Sequence, residues 1–309
     1  MSNNTASPKA AHWRAQREGG GRFALWLILT LALHGGRRFA RLLLYPITLY
    51  FFLRRGEERR ASRQYLARAF GRPPRLGQLL RQFHAYAATT LDRVFLLARG
   101  ERGFAIAVEG LAELERCLAE DRGVLLVGSH QGSFEALRVL AARRPELSLR
   151  VVLDKGKTPA MTSLLEALAP EVGAAVIDAA QGGAHIALAA AEACRQGAMV
   201  ALLADRAGTH EAERMVDFLG APAPLPVGPW LLASALQVPV LLCFGLYEGG
   251  NRYRLIFEPF AERVAIARAD RAAALDAVLA RYAQRLEHYV RVAPYNWFNF
   301  HDFWRTPAA

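Results

Sequence analysis

The sequence predicts an α/β fold: a mostly parallel or mixed central sheet with helices on both faces, preceded by a helical, membrane-associated N-terminal segment. Three observations carry this reading. From residue 104 onward, short apolar runs alternate with segments of helical spacing. The first run, Val124-Leu125-Leu126-Val127 between Gly123 and Gly128, is continuous, as in a strand covered on both faces. Ahead of these lie two apolar runs set among arginines. Composition agrees: 53% of the 309 residues are hydrophobic and 22% charged, which excludes a disordered chain. Cys117, Cys194 and Cys243 are scattered, so neither a disulfide-framed fold nor a zinc ribbon is expected.

Residues 1–22 are polar and close on Gly19-Gly20-Gly21, a flexible lead-in. The apolar runs follow at Phe23 to Leu33 and Leu42 to Leu53. As a helix each rises only ~16–18 Å, against ~30 Å of bilayer hydrocarbon. Fused into one span they place Arg37, Arg38 and Arg41 near the bilayer centre, at ~2.5–3.5 kcal/mol each. Arg14, Arg17 and Arg22 precede the runs, and Arg54, Arg55, Arg59 and Arg60 follow. Such symmetric flanks fit helices lying in one leaflet, with arginines on anionic headgroups and Trp26, Tyr45 and Tyr50 at the interface. Buried core helices and a single tilted span are the alternatives. Arg37-Arg38-Phe39 mimics a twin-arginine export signal, but no small-residue cleavage site follows Leu53. The organisation read from this is a lead-in over 1–22, membrane-associated helices over 23–56 and an α/β domain over 57–309.

Residues 57–100 have helical spacing, broken into two helices by Gly71-Arg72-Pro73-Pro74. Strands are expected at 124–128, 149–153, 174–177, 199–203, 238–246 and 253–257. Helices are expected at 133–143, 160–169, 183–196, 228–237 and 269–292. Ligands of such sheets bind beyond the carboxyl ends of the strands.

One strand end reads Gly128-Ser129-His130-Gln131-Gly132-Ser133-Phe134-Glu135. The glycines flank a histidine, not the serine of an esterase elbow. His130 therefore reads as a general base, and Glu135, folding back from the next helix, as the carboxylate that orients it. The alternatives are a structural histidine, Ser133 as a helix N-cap and Glu135 as a first-turn dipole partner. Ser129 and Ser133 are secondary candidates for a nucleophile. A second strand ends at Asp205-Arg206 on the same rim, where the arginine suits a phosphate or thioester carbonyl; an ion pair bracing the sheet edge is the alternative.

The His130-x4-Glu135 stretch resembles the His-x4-Asp/Glu motif of the lysophospholipid acyltransferase superfamily. Within it the likeness is to the lipid A biosynthesis acyltransferases, the late lauroyl/myristoyl transferases of Gram-negative bacteria. Leu203-Ala204-Asp205-Arg206 and the stretch from Val216 to Pro229 are similar to that family's segment running from a strand-end aspartate to a glycine-bounded loop. The tail Pro294-Tyr295-Asn296-Trp297-Phe298-Asn299-Phe300-His301-Asp302-Phe303-Trp304 is similar to tails in the branch associated with aryl polyene-type glycolipid clusters. Trp13-Arg14 and Leu91-Asp92-Arg93 resemble that branch too. Core packing of these aromatics is the alternative to an acyl-tunnel wall or a bilayer interface.

The resemblance implies an enzyme at the cytoplasmic face of a bacterial inner membrane. It would move a fatty or aryl polyene acyl group from acyl carrier protein, or from coenzyme A, to a hydroxyl of a lipid or glycolipid. It implies His130 and Glu135 as catalytic residues, with Gln131, Gly132, Ser133, Lys155, Asp205 and Arg206 as substrate contacts, and no metal or organic cofactor. One departure stands out. The family carries an arginine-bearing stretch after the second strand, where this chain reads Asp154-Lys155-Gly156-Lys157-Thr158-Pro159, with no arginine between Arg150 and Arg195. Two lysines are the only substitutes, which leaves the acceptor open.

The net charge of +11, carried almost wholly by arginine, suits an anionic membrane surface and an acidic carrier protein. A GC-rich genome is the alternative explanation of so much arginine. The chain lacks interleaved basic and aromatic motifs of the RNA-binding type, so nucleic acid is not expected as a partner. The competing reading of another class is a non-catalytic, membrane-bound lipid-binding or assembly protein on the same fold.

Overall fold

A computed structural model describes residues 22–119, 122–135, 137, 148–156, 175–207 and 211–304, with side chains from residue 36. Residues 1–21 of the expected lead-in, the helix at 160–169 and most of the helix at 133–143 lie outside the described residues, as do Trp13, Lys157 and Pro159, while Arg22 already begins the first helix.

Three helices come first: α1 (Arg22–Arg54), α2 (Gly56–Phe70) and α3 (Leu76–Arg99). The α/β body follows with β1 (Ala105–Glu109), α4 (Leu111–Leu118), β2 (Val124–Gly128), β3 (Leu149–Leu153) and β4 (Val176–Asp178). Then come α5 (Gly183–Arg195), β5 (Met199–Leu203), β6 (Glu213–Phe218), β7 (Ala221–Pro226) and α6 (Gly228–Leu236). The chain closes with β8 (Val240–Gly249), β9 (Arg252–Ala261) and α7 (Arg271–Val292). Seven strands form one sheet in the order β1-β9-β8-β2-β5-β3-β4. All its pairs are parallel except β8 with β9, so the expected mixed, mostly parallel sheet is present.

β2 is the centre of this sheet, and Val124 to Val127 have 0% exposure. Successive side chains of a strand point to opposite faces. Leu125 and Val127 join a core with Cys194 of α5, Trp230 of α6 and Tyr282 of α7. Val124 and Leu126 join a second core with Leu114 and Cys117 of α4. Two buried faces explain why the run shows no alternation.

The two apolar N-terminal runs belong to α1, broken at Gly36 (φ 75°, ψ 166°). Among the described residues, no helix is long and apolar enough to cross a membrane. Ala40, Leu44 and Phe52 of α1 face inward, the first two packing with Ala88, Leu91 and Phe95 of α3. Leu42, Tyr45, Leu49, Tyr50 and Leu53 face outward and are exposed. Two arginines between the runs take part in the fold. Arg37 makes a two-pronged ion pair with Asp92 (Nε–Oδ1 2.7 Å, Nη2–Oδ2 2.8 Å), and Arg41 adds a third bond to Oδ2 at 3.2 Å. Arg59, placed among headgroup-facing residues by the sequence, instead caps the carbonyls of Phe52 and Leu53 at the end of α1. Arg54 and Arg60 stay exposed.

The sequence does not predict β1, α4 or the β6–β7 hairpin, whose stretch it reads as a glycine-bearing loop. Pro222, Pro224 and Pro226 argue against a strand in a wide sheet. In a two-stranded ribbon every second N–H faces away from the partner, and the prolines occupy those alternate places opposite Asp217, Met215 and Glu213. The turn has positive φ at both Leu219 (50°) and Gly220 (75°), the sense that matches strand twist in a tight hairpin.

Candidate active site

β2 and β5 lie side by side in parallel, with Gly128 paired to Leu203. Two residues beyond that pair, the strand ends deliver His130 and Asp205 to adjacent positions on one rim. Backbone bonds fix the first loop. Ala204 N–H and the Tyr282 hydroxyl both donate to the Gly128 carbonyl, at 3.0 and 2.9 Å. Gly132 N–H donates to the Asn296 carbonyl (2.9 Å) and Ser133 N–H to the Gly245 carbonyl (2.7 Å). Gly132 sits at φ +66°, and a Cβ there would lie 1.9 Å from the Gly245 oxygen, so this turn admits only glycine.

Asp205 holds His130 twice. Its Oδ1 accepts the His130 backbone N–H at 3.0 Å and lies 2.8 Å from His130 Nδ1. Its Oδ2 accepts the Trp297 indole N–H at 2.9 Å. The carboxylate is fully buried, while the His130 side chain is 38% exposed. A carboxylate at Nδ1 keeps the proton on that nitrogen and leaves the Nε2 lone pair as acceptor. Burial would push the Asp205 carboxyl up. His130, Arg206 and the indole together outweigh it and hold the group far below the usual carboxylate range. Desolvation lowers the His130 pKa, Arg206 and Arg93 lower it further, and Asp205 opposes them. The ring is therefore neutral at neutral pH beside an ionised partner. A base of this kind is active above its pKa, so the acid limb of a rate profile is expected below pH 6.5, the ordinary imidazole value. A pH series of kcat/KM checks this.

The carboxylate beside the ring is thus Asp205, and the expected Glu135–His130 contact is corrected. Helix geometry is the reason. The turn that starts at Phe134 carries Glu135 toward α3, where its Oε1 lies 2.8 Å from Arg93 Nε. Its Oε2 accepts the Ser133 hydroxyl at 3.2 Å. Among the described residues, Glu135 acts on His130 through Arg93, whose charge it offsets beside the ring. Glu135→Gln should lower activity by about tenfold or less and move the acid limb to lower pH, since Arg93 then acts on the imidazole with less of its charge offset.

The remaining candidates divide. Gln131 is buried, with its Nε2 donating to the Tyr289 carbonyl at 2.8 Å, and Ser133 is 1% exposed. Arg206 lies at the rim and donates to the Phe298 carbonyl, while its Nε is buried without a partner. Lys155 follows β3, two strands from β2; its backbone N–H donates to Asp178 at 3.3 Å. The aromatic tail crosses the strand ends. Trp297, Phe303 and Trp304 pack with Phe218 in the core. Phe298 N–H bonds the His130 carbonyl at 2.9 Å, and Tyr86 of α3 rests its ring edge on Phe298 and Phe300. Sequence reasoning missed the Trp297 bond and the Arg93–Glu135 pair. The only signals were the position of Trp297 within the tail and the Leu91-Asp92-Arg93 likeness.

No curated protein matches the chain. Across residues 8–306 it matches the sequence model of the family described as bacterial lipid A biosynthesis acyltransferase. That match takes in His130, Asp205 and the tail that joins them, and the chain belongs to the bacterial lipid A biosynthesis acyltransferase family.

Proposed function

We propose that the protein transfers an acyl group from an acyl carrier protein thioester to a hydroxyl of a membrane lipid or glycolipid, with His130 as the general base. The observation that carries this is the accessible His130 ring, held at Nδ1 by a fully buried carboxylate. Nε2 takes the proton of the acceptor hydroxyl as its oxygen attacks the thioester carbonyl. The C–S bond breaks, and the departing thiolate takes the proton back from the imidazolium. Asp205 replaces Glu135 in the orienting role, and Arg206 at the rim suits the oxyanion or a phosphate. Such a base contributes ~10²–10⁴ in rate; positioning and charge stabilisation supply the rest.

The outward face of α1 supports action at a lipid surface. Leu42, Tyr45 and Leu53 are 65%, 64% and 66% exposed, a continuous apolar stripe at helical spacing. Arg54, at the end of α1, and Arg60, Arg63, Arg72, Arg75 and Arg81, on α2, the following turn and α3, are exposed and suit anionic headgroups or an acidic carrier. This fits the cytoplasmic face of an inner membrane. The tail likeness makes an aryl polyene chain a candidate acyl group beside an ordinary fatty one.

The test is transfer of labelled acyl chains from carrier protein to total membrane lipid, with His130→Ala as the blank. Labelled lipid with the wild type alone supports the reading, and the product mass names the acceptor. Equal labelling by His130→Ala refutes the mechanism.

A further inference from the structure

We infer that Trp297 is a positioning residue of the active site, acting through Asp205 rather than on substrate. The inference rests on the acyl-transfer reading above for its role, but on geometry for its existence. Asp205 has two oxygens and one task at His130. Oδ1 takes both the backbone N–H and Nδ1 of His130. Oδ2 would be free to swing, but the indole N–H of Trp297 holds it at 2.9 Å. A carboxylate with both oxygens pinned presents one fixed lone pair to the imidazole.

The indole is itself immobile. It has 0% exposure, and four rings surround it: Tyr65, Phe218, Phe303 and Trp304, at centroid distances of 5.0, 5.3, 4.9 and 6.0 Å. Its backbone is tied as well. Gln82 of α3 donates to the Trp297 carbonyl at 2.9 Å, and residue 297 forms a bridge with Gln131 beside the catalytic histidine. Asn296 and Phe298 each bond the 130–132 loop. The tail therefore straps the histidine loop to the aspartate and supplies the only indole N–H that reaches either, among the described residues. Packing alone would be served by a phenylalanine. A tryptophan whose nitrogen faces the orienting carboxylate does something a phenylalanine cannot.

The charged and titratable groups facing the pair are Arg206 after β5, Arg93 and Tyr86 of α3, Tyr282 of α7 and Glu135 through Arg93. None of them is altered by a change at the indole nitrogen. Removing that N–H leaves more negative charge on Asp205 for the imidazolium to feel, so His130 should titrate at higher pH. A carboxylate free to rotate should also lower kcat about tenfold, with KM unchanged.

The test uses the full chain in micelles, with histidine labelled for NMR and the His130 signal assigned by its loss in His130→Gln; the sequence has eight histidines. Two changes are compared: Trp297→Phe, and replacement of Trp297 by benzothienylalanine, which keeps the bicyclic shape and puts sulfur where the N–H was. Phe303→Leu is the packing control, since it loosens the same cage without touching the nitrogen. An upward move of the His130 titration with both Trp297 changes, and none with Phe303→Leu, supports the inference. An unchanged or falling titration with benzothienylalanine, or an equal rise with Phe303→Leu, overturns it. The titration is read without substrate. If it shifts as expected while the wild type transfers no acyl chain, the reading of function fails and the positioning role stands.

Discussion

Asp205→Asn should reduce acyl transfer by ~10²–10⁴ while the protein keeps its fold. Asparagine has the shape of aspartate but half its acceptors. If the amide oxygen takes the Oδ1 place, the bonds from the His130 backbone and ring survive, and the amide N–H₂ then opposes the Trp297 indole N–H. If the amide flips, its N–H₂ opposes the His130 backbone N–H and turns Nδ1 into an acceptor. The imidazole proton must then sit on Nε2, where a base needs a lone pair. Both orientations remove the charge that raises the affinity of His130 for a proton. Glu135→Gln leaves this arrangement intact, which is why its expected loss is far smaller. Steady-state kcat for the two variants, with a thermal melt to confirm folding, checks the order. Near wild-type kcat for Asp205→Asn would take the pair out of the chemistry. Equal losses for both variants would restore Glu135 to the centre of it.

The centre of the sheet was legible because β2, β5 and the first part of β8 are buried on both faces. Continuous apolar runs such as Val124 to Val127 and Met199 to Leu203 are too short for a helix and too apolar for a loop, and their ends pointed to His130 and Asp205. Their mutual contact was not legible. It depends on β2 and β5 being neighbours, although β3 and β4 lie between them in sequence. A sequence motif favours the nearer carboxylate, and Glu135 is five residues from His130 where Asp205 is seventy-five away. The strand that starts at Ala105 was hidden for another reason. Its side chains alternate between exposed and half-buried at one edge of the sheet, which leaves little apolar signal. The β6–β7 ribbon was hidden by its prolines, which a two-stranded sheet tolerates and a wider one does not.

Arginines inside an apolar segment invite a membrane reading, and here two of them answer to Asp92. That contact leads to the largest expected effect on stability. Asp92 has a fully buried side chain and accepts from Arg37, Arg41 and the Tyr253 hydroxyl, the last at 2.8 Å. Asp92→Ala leaves two guanidinium groups, each with a side chain only 19% exposed, facing one another without a counter-charge. Breaking a buried pair from one side costs ~3–5 kcal/mol. For a chain of this length that lowers Tm by ~5 °C or more. The loss should be local in origin, because Asp92 joins α1 and α3 to β9 and no other ion pair binds α1 to that body among the described residues. Tryptic cleavage after exposed Arg38 should therefore rise before the sheet melts. Removing all the charges together is a different experiment. A triple change of Arg37→Met, Arg41→Met and Asp92→Leu gives up the attraction and the desolvation cost at once, and should recover most of the lost Tm. Recovery in the triple variant would identify the network as a latch that fixes where α1 sits, since its net contribution to stability is then small. A triple variant as unstable as Asp92→Ala would mean that the arginine forks, also bonded to the Gly250 carbonyl and the Tyr247 hydroxyl, hold α1 by hydrogen bonds that methionine cannot replace.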